Sequence, residues 1–346
     1  MANYYVDPAA GGAANGSNWD NAWTSLQTAL DTVTAGNVVY CRGTQTYSGA
    51  AAIDIDTNSG SNANGYVKII GCNASGNVDG TRFKLNVNGQ ACNGITFAAS
   101  MHMIWMENVE IYGTSAGNYD GINMNGGCTG LIFVNCIFRN CGRYGFNGVT
   151  SRPTYSMFYR CAVYSNGSHG FYNLGLNNYI VFSSIHDNGG DGLNTCLASV
   201  IGCLIYDNTD DGIEGVSHGT LFMNNVVNSN GDDGIVLTAS SNNYPSYMIG
   251  NRITNHNGAG SIGFDSNSEP SFLAFNLFDN NKDNISNSTL ANNIPAADGS
   301  TDSNEYYDEN AAEAEGTLQG YTSSSDFNLT STADLRRDAI TIPTSA

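Results

Sequence analysis

Between about residues 118 and 281 the apolar and polar positions recur with a period of 20 to 26 residues. Each repeat has two parts. The first is a polar corner, a glycine and an inward apolar residue: Asp120-Gly121-Ile122, Tyr144-Gly145-Phe146, His169-Gly170-Phe171, Asp191-Gly192-Leu193, Asp211-Gly212-Ile213 and Asp233-Gly234-Ile235. The glycines lie 24, 25, 22, 20 and 22 residues apart. The second part reads as a short apolar strand running into a polar turn, as in Phe133 to Phe138, Phe158 to Val163, Val200 to Ile205 and Phe222 to Val227. It closes on an asparagine: Asn140, Asn166, Asn188, Asn208, Asn230 and Asn257.

Strands this short cannot bury an apolar face alone, so successive coils must stack, with equivalent positions aligned about 4.8 Å apart. Ile122, Phe146, Phe171, Leu193, Ile213 and Ile235 are expected to form one inward ladder. The asparagines are expected to supply a left-handed turn residue whose amide bonds along the stack. No helical period separates the strands, which excludes a βαβ fold. The pattern therefore predicts an all-β chain, a right-handed parallel β-helix, over 37–281. Looser coils are expected around Asn37 to Arg42, Tyr66 to Cys72, Thr96 to Ala98 and Met103 to Ile111.

A solenoid end is an open sheet edge and needs a cap. Trp23, Leu26, Leu30 and Val33 share one helical face, which predicts an amphipathic helix from Asn21 to Ala35 within a capping region 1–36, with Asp20 or Asn21 as N-cap and Gly36 as stop. Beyond Asn281 the repeat fades, and 282–346, with Asp308, Glu309, Glu313, Glu315, Phe327, Leu329, Leu335, Ile340 and Ile342, is expected to form a C-terminal cap or tail.

Composition narrows the function. The 346 residues hold 41 Gly and 47 Asn, with 31 acidic against 12 basic side chains and a net charge of -19. Such a surface repels phosphate, so nucleic acid is not an expected partner. No apolar run is long enough for a membrane span, and the first residues lack a secretion signal, so neither insertion nor export is expected.

Tyr4-Tyr5-Val6-Asp7-Pro8, the Gly/Asn run to Trp19, and Gly36-Asn37-Val38-Val39-Tyr40 before Gly43 resemble the start of the pectate-lyase-like β-helix superfamily, and the later coils resemble its repeats. The resemblance implies a fold shared by polysaccharide lyases, glycoside hydrolases, epimerases and virion-surface proteins, among which fold does not choose.

Candidate chemistry centres on the acidic corner. Asp191, Asp211 and Asp233 fall in one column, with Asp210 and Asp232 beside it. Two carboxylates about 5 Å apart repel by about 3 kcal/mol at an effective dielectric near 20, which solvent, a cation or a retained proton relieves. Asp191, Asp211 and Asp233 are thus a candidate Ca²⁺ site, although no cofactor is required. Asn208-Thr209-Asp210 and Asp232-Asp233 resemble the first two motifs of polygalacturonase-type glycoside hydrolases, which implies Asp210, Asp232 and Asp233 as acid and base. The later motifs are missing: Asn255-His256-Asn257 and Ser217-His218-Gly219 are the nearest substitutes, and Asp-Gly is also an ordinary turn dipeptide.

A lyase needs an Arg or Lys beside its carboxylates, whereas Arg139, Arg143, Arg152 and Arg160 precede the acidic column by two or three coils. The five histidines, His169 among them, show no metal spacing and read as surface or turn residues. Nine cysteines with no CxxC pair, Cys136, Cys161 and Cys203 in one inward column, suit free thiols in a reducing cytoplasm. Tyr144, Tyr164, Tyr172 and Tyr206 are candidate carbohydrate contacts.

Two functions follow. One is a virion-surface protein, tailspike-like or capsid-decorating, made in the host cytoplasm, homotrimeric, and contacting polysaccharide and other virion proteins. The other is an extracellular polysaccharide-degrading enzyme, a hydrolase before a lyase.

Overall fold

The structure, a computed structural model, describes residues 2–98, 100–148, 152–216, 219–238, 246–256, 258, 261–266, 271–274, 276–279, 281, 283–286 and 305–306. The chain forms two compact units, 1–190 with 194–198, and 191–193 with 199–346.

Each unit is a stack of coils with three short strands per coil, each strand pairing in parallel with its counterpart one coil on. In the first unit Ile132–Val134 pairs with Met157–Tyr159, Ile137–Arg139 with Ala162–Tyr164, and Ile122–Met124 with Phe146–Asn147. In the second, Leu221–Met223 pairs with Ser246–Ile249, Leu204–Tyr206 with Val226–Asn228, and Ile213–Val216 with Ile235–Thr238. The looser coils are strands too, including Val38–Arg42, Val67–Cys72, Ile95–Phe97, Ile104–Glu107 and Val109–Tyr112. The core is a set of inward ladders. Phe146 pairs with Ile122 and Phe171, Ile213 with Ile235, and all are essentially inaccessible to water.

The stretch read as one strand and a turn is in fact two strands joined by a sharp bend. Phe133 to Phe138 breaks at Asn135, whose φ of 51° is left-handed, and Cys136 follows, pointing into the core. Asn224 and Asn225 repeat the arrangement in the second unit. Asn tolerates this backbone region because its short amide bonds locally.

The asparagine column follows the expected one at Asn166, Asn188, Asn208 and Asn230 and departs from it at Asn140. Its members are Asn166 and Asn188 in the first unit, with Asn208, Asn230, His256 and Asn281 in the second. Cys141 stands in for Asn140: its N–H donates to Asn166 Oδ1 at 3.1 Å, while Asn140 takes the left-handed backbone at φ 51°. Asn257 lies outside the described residues; His256 occupies the column. The two duties assigned to one residue are divided between neighbours. Ser165, Asp187, Asp207, Ser229 and Asn255 make the turn, and the next residue's buried side chain, an Asn amide or the His256 imidazole, bonds along the stack.

The repeat glycines have a steric cause. A Cβ on Gly121 would meet the Gly145 carbonyl oxygen at 2.6 Å, and one on Gly212 the Gly234 oxygen at 2.6 Å. The Asp-Gly pairs therefore mark close stacking of coils.

The N-terminal helix is shorter than predicted, Leu26–Thr32, capped by Ser25, whose hydroxyl accepts from Gln27 N–H at 3.2 Å. Asp20 and Asn21 are not its cap, because Trp23 is held in extended backbone by N–H donation to the Tyr5 carbonyl while its own carbonyl accepts from Asp7 N–H. Trp23, Leu26, Leu30 and Val33 are buried as expected, and Ala29 is buried with them. The Gln27 amide donates to the Asp54 carbonyl at 3.0 Å and its oxygen accepts from Asp54 N–H at 2.7 Å, which satisfies the edge strand Ile53–Ile55. Asp308 to Ile342 lie outside the described residues.

All nine cysteines are buried and free. Among the described residues no helix is long and apolar enough to cross a membrane.

Candidate functional site

The polar corner ahead of the repeat glycine carries the chemistry in both units. Stacking fixes it, since Gly121 N–H bonds to the Tyr144 carbonyl, Gly145 N–H to that of His169, and Gly212 N–H to that of Asp233.

In the second unit the corner is a ladder of carboxylates. Asp191 Oδ1 accepts from Asp211 N–H at 2.9 Å, Asp211 Oδ1 from Asp233 N–H at 2.9 Å, and Asp233 Oδ1 from Ile262 N–H at 2.6 Å. Burial pushes Asp211 up to about 8, the Asp233 N–H opposing this and the charges of Asp191, Asp233 and Asp232 adding to it. Burial likewise raises Asp233 to about 6, against the Ile262 N–H and with the help of Asp232 and Asp265. The middle rung therefore holds its proton at neutral pH. Among the described residues no three His, Cys, Asp or Glu side chains converge as a metal site. Each carboxylate turns one oxygen to a backbone N–H one coil on, so the column forms a hydrogen-bond ladder. Asp210 and Asp232 stand exposed beside it on adjacent coils, Asp232 N–H donating to the Asp210 carbonyl at 3.3 Å and Ser261 Oγ to Asp232 Oδ1 at 3.5 Å. His256, nearest to a third hydrolase motif, is buried in the asparagine column; Ser217, His218 and Asn257 lie outside the described residues.

In the first unit the same corner holds a different set. Asp120 is fully buried and accepts from Arg143 Nε at 2.9 Å, Arg143 Nη2 at 2.7 Å, Tyr144 N–H at 3.2 Å and Asn147 Nδ2 at 2.7 Å. This fork fixes the Arg143 guanidinium, 28% exposed, over the Tyr144 ring at 4.6 Å and leaves its Nη1 edge for a ligand. Tyr144 stacks on Tyr172 at 4.5 Å and on His169 at 5.4 Å, and His169 on Tyr172 at 5.4 Å, all within 14° of parallel. Gly190 closes the imidazole in, because a Cβ there would stand 2.7 Å from His169 Nδ1. Burial raises the Tyr144 phenol above its usual value, and the neighbouring guanidinium offsets this only in part. The phenol keeps its proton at neutral pH.

The structure thus brings together Tyr144 and Tyr172 from the expected carbohydrate contacts and adds Asp120, Arg143 and His169. Tyr164 lies on a neighbouring face, stacked on His186 at 4.9 Å. Tyr206 belongs to the second unit, half-buried opposite Asn228. In the stacks of Tyr144 and Tyr164 the aromatic faces meet one another, so these rings offer hydroxyl and nitrogen edges more than open faces. The signal that could have located the site is charge placement. Between Asp120 and Asp187 the sequence has no Asp or Glu but holds Arg139, Arg143, Arg152 and Arg160, in a chain of net charge -19.

Coils of three parallel strands with asparagine ladders at their corners define a parallel β-helix. The chain belongs to the right-handed β-helix family, whose description, "right handed beta helix region", matches residues 51–246, more than half of its length. Among solved structures it is similar to the pectate lyase Pel9A, at 16% identity and a TM-score of 0.59 over 96% of this chain and 90% of that one. It is similar also to a rhamnogalacturonan lyase, at 16% identity and a TM-score of 0.52 over 97% and 98%. A third is the A-module of the mannuronan C-5 epimerase AlgE6 of Azotobacter vinelandii, at 14% identity and a TM-score of 0.51 over 75% and 91%. No curated protein matches the chain. At these identities the likeness concerns the fold.

Proposed function

We propose that the chain acts on an acidic polysaccharide at the corner formed by Asp120, Arg143, Tyr144, His169 and Tyr172. The observation that carries this reading is Arg143, locked in a fork to buried Asp120 with its remaining edge beside a stacked Tyr-His-Tyr strip. A guanidinium edge pairs with a uronate carboxylate, and that pairing acidifies the hydrogen on the adjoining ring carbon. Imidazole is the side chain suited to take such a proton near neutral pH, and a phenol that keeps its proton can give one. In the proposed step His169 takes the hydrogen from the carbon bearing the carboxylate, and a double bond forms to the neighbouring carbon. The bond from that carbon to the glycosidic oxygen breaks, and Tyr144 protonates the departing oxygen. The polysaccharide-acting neighbours of the same fold support this class of substrate.

The test is ultraviolet absorbance of unsaturated chain ends released from polygalacturonate or alginate. His169→Gln and Arg143→Ala should each lower the rate by at least about a hundredfold, the usual scale of a proton-transfer or charge-binding group. Asp210→Asn with Asp232→Asn should leave it unchanged. Reducing ends released without unsaturation, and lost only in the Asp210/Asp232 double variant, would place a hydrolase at the acidic corner and refute the reading.

A narrower form adds an assembly: a tailspike-like homotrimer displaying this site on a virion. The nine buried free thiols support a chain folded in a reducing cytoplasm. Its signature is a native mass three times 36.6 kDa by light scattering; a monomer would reject it. Loss of such a trimer in EDTA would assign it a structural cation.

A further inference from the structure

A second face of the first unit carries an arrangement that packing does not explain. The outer side of the strands Met157–Tyr159 and Tyr179–Val181 is bounded at one end by Tyr155 and Leu176 and at the other by Arg160 and Phe182. Tyr155 is 67% exposed, Tyr179 46% and Phe182 45%. Phe182 meets the Tyr159 ring edge-on at 6.1 Å, and Arg160 lies over the same ring at 5.1 Å.

Three of these side chains sit on left-handed backbone: Tyr155 at φ 53°, Arg160 at 53° and Phe182 at 50°. The equivalent bend in the preceding coils is made by Asn108 and Asn135, and the position before Tyr155 in its own column by Gly130. Asn and Gly accept this conformation readily, whereas a bulky residue costs about 1 kcal/mol or more there. Tyr155 and Phe182 recover little of that by burial, so the solenoid does not need them. Exposed aromatic side chains gathered on one face and set on costly backbone mark a binding surface.

We propose that this face is a docking platform for an acidic polysaccharide chain, its sugar rings lying on Tyr155, Tyr179 and Phe182 and its carboxylates meeting Arg160. Charge selects the occupant. Arg160 is exposed, forms no ion pair among the described residues, and belongs to the stretch between Asp120 and Asp187 that has four arginines and no acid. A polyanion repelled by the rest of this acidic chain is drawn here. Unlike the edge-out stacks at the corner, Tyr155 is exposed enough to offer a ring face to sugar C–H groups. The inference rests on the proposed function only for the class of polymer; it places a separate binding surface, which keeps a long chain on the protein.

The test is native electrophoresis in gels containing polygalacturonate or alginate, against gels containing dextran. The wild type should be retarded by the acidic polymers alone. Tyr155→Asn with Phe182→Asn should weaken that retention by roughly tenfold, with no fall in melting temperature, since Asn is the residue neighbouring coils use. Tyr179→Thr, an independent change on the strand, should also weaken it. Release of unsaturated ends from a trisaccharide of uronates should be unchanged in these variants. Arg143→Ala should do the reverse, losing cleavage and keeping retention, so that the corner site and the platform fail separately. Three results would overturn the platform: unaltered retention in the double variant and in Tyr179→Thr; a wild type not retarded by either polymer; or variants that lower the native mass, which would assign the face to a second copy of the chain.

Discussion

Asp211 offers a quantitative test of the carboxylate ladder. Its side chain accepts the Asp233 N–H and lies between Asp191 and Asp233, and burial with that repulsion pushes it up to about 8. In the unfolded chain it titrates near the ordinary carboxylate value of about 3.9. The folded value is the higher, so the folded state binds the proton more tightly; its stabilising effect is complete below about pH 4 and is lost as pH rises through about 8. The full separation corresponds to about 6 kcal/mol at 1.36 kcal/mol per pH unit, and solvent reaching the partly exposed carboxyl lowers the realised figure to about 2 kcal/mol. Asp211→Asn keeps the acceptor for Asp233 N–H and cannot ionise. The variant should match the wild type at pH 4 and exceed it by about 2 kcal/mol at pH 8. Urea denaturation followed by circular dichroism at pH 4, 6 and 8 measures this, and the difference between the two proteins cancels every other titrating group that the change leaves undisturbed. A variant less stable than the wild type at pH 8 would refute the reasoning, because it would mean that the ionised carboxylate is favourable. Wild-type stability at pH 8 that rises with millimolar Ca²⁺ while the variant's does not would identify a cation as the cause.

His256 gives the opposite pH dependence. Burial pushes it down to about 4, with Nε2 against Asn230 at 3.2 Å and Nδ1 against Asn281 at 2.8 Å, so stability present above the ordinary histidine value is lost as pH falls from about 6.5 towards 4. His256→Asn restores the ladder residue and should reduce that acid sensitivity by about 2 kcal/mol at pH 5 in the same denaturation assay, with little change at pH 8. Gly212→Ala should destabilise the second unit by about 3 kcal/mol or more, seen as a lower melting temperature by calorimetry, because the added Cβ meets backbone that cannot yield.

The stacking of coils was legible because it repeats. Ile122, Phe146 and Phe171 stand where a period of about 24 places them, and a ladder of identical environments writes itself into the chain several times over. Single events are written once. The bend at Asn135 and the one at Phe182 share a backbone but no residue type, so only their φ values unite them. For the same reason the asparagine column was read one residue away at Asn140: two adjacent polar residues suit two different tasks, and the side-chain direction that separates them is a property of the folded corner. Periodicity overextends the helix because Trp23 matches the apolar face of a helix while its backbone pairs with Tyr5 and Asp7, a tertiary contact that local periodicity does not contain.

The corner site was hidden for a related reason, and the two units show what decides its chemistry. Asp120 and Asp211 precede equivalent glycines and each accepts a backbone N–H from the next coil. In the first unit the next coil brings Arg143, whose guanidinium completes an ion pair with Asp120 and is itself raised by that hydrogen bonding. In the second, the next coil brings Asp232 and Asp233, and the carboxyl retains its proton instead. One backbone position therefore yields a fixed cation beside an aromatic strip or a neutral hydrogen-bonded ladder, according to a residue about 22 positions further along the chain. A column of Asp-Gly dipeptides, read down the sequence, does not separate these outcomes; the charge brought by the following coil does. The absence of acid between Asp120 and Asp187 is thus the informative feature, because it leaves Asp120 as the counter-charge held against Arg143, while Arg139 turns to Glu110 of the preceding coil and exposed Arg160 keeps its charge for an anionic chain.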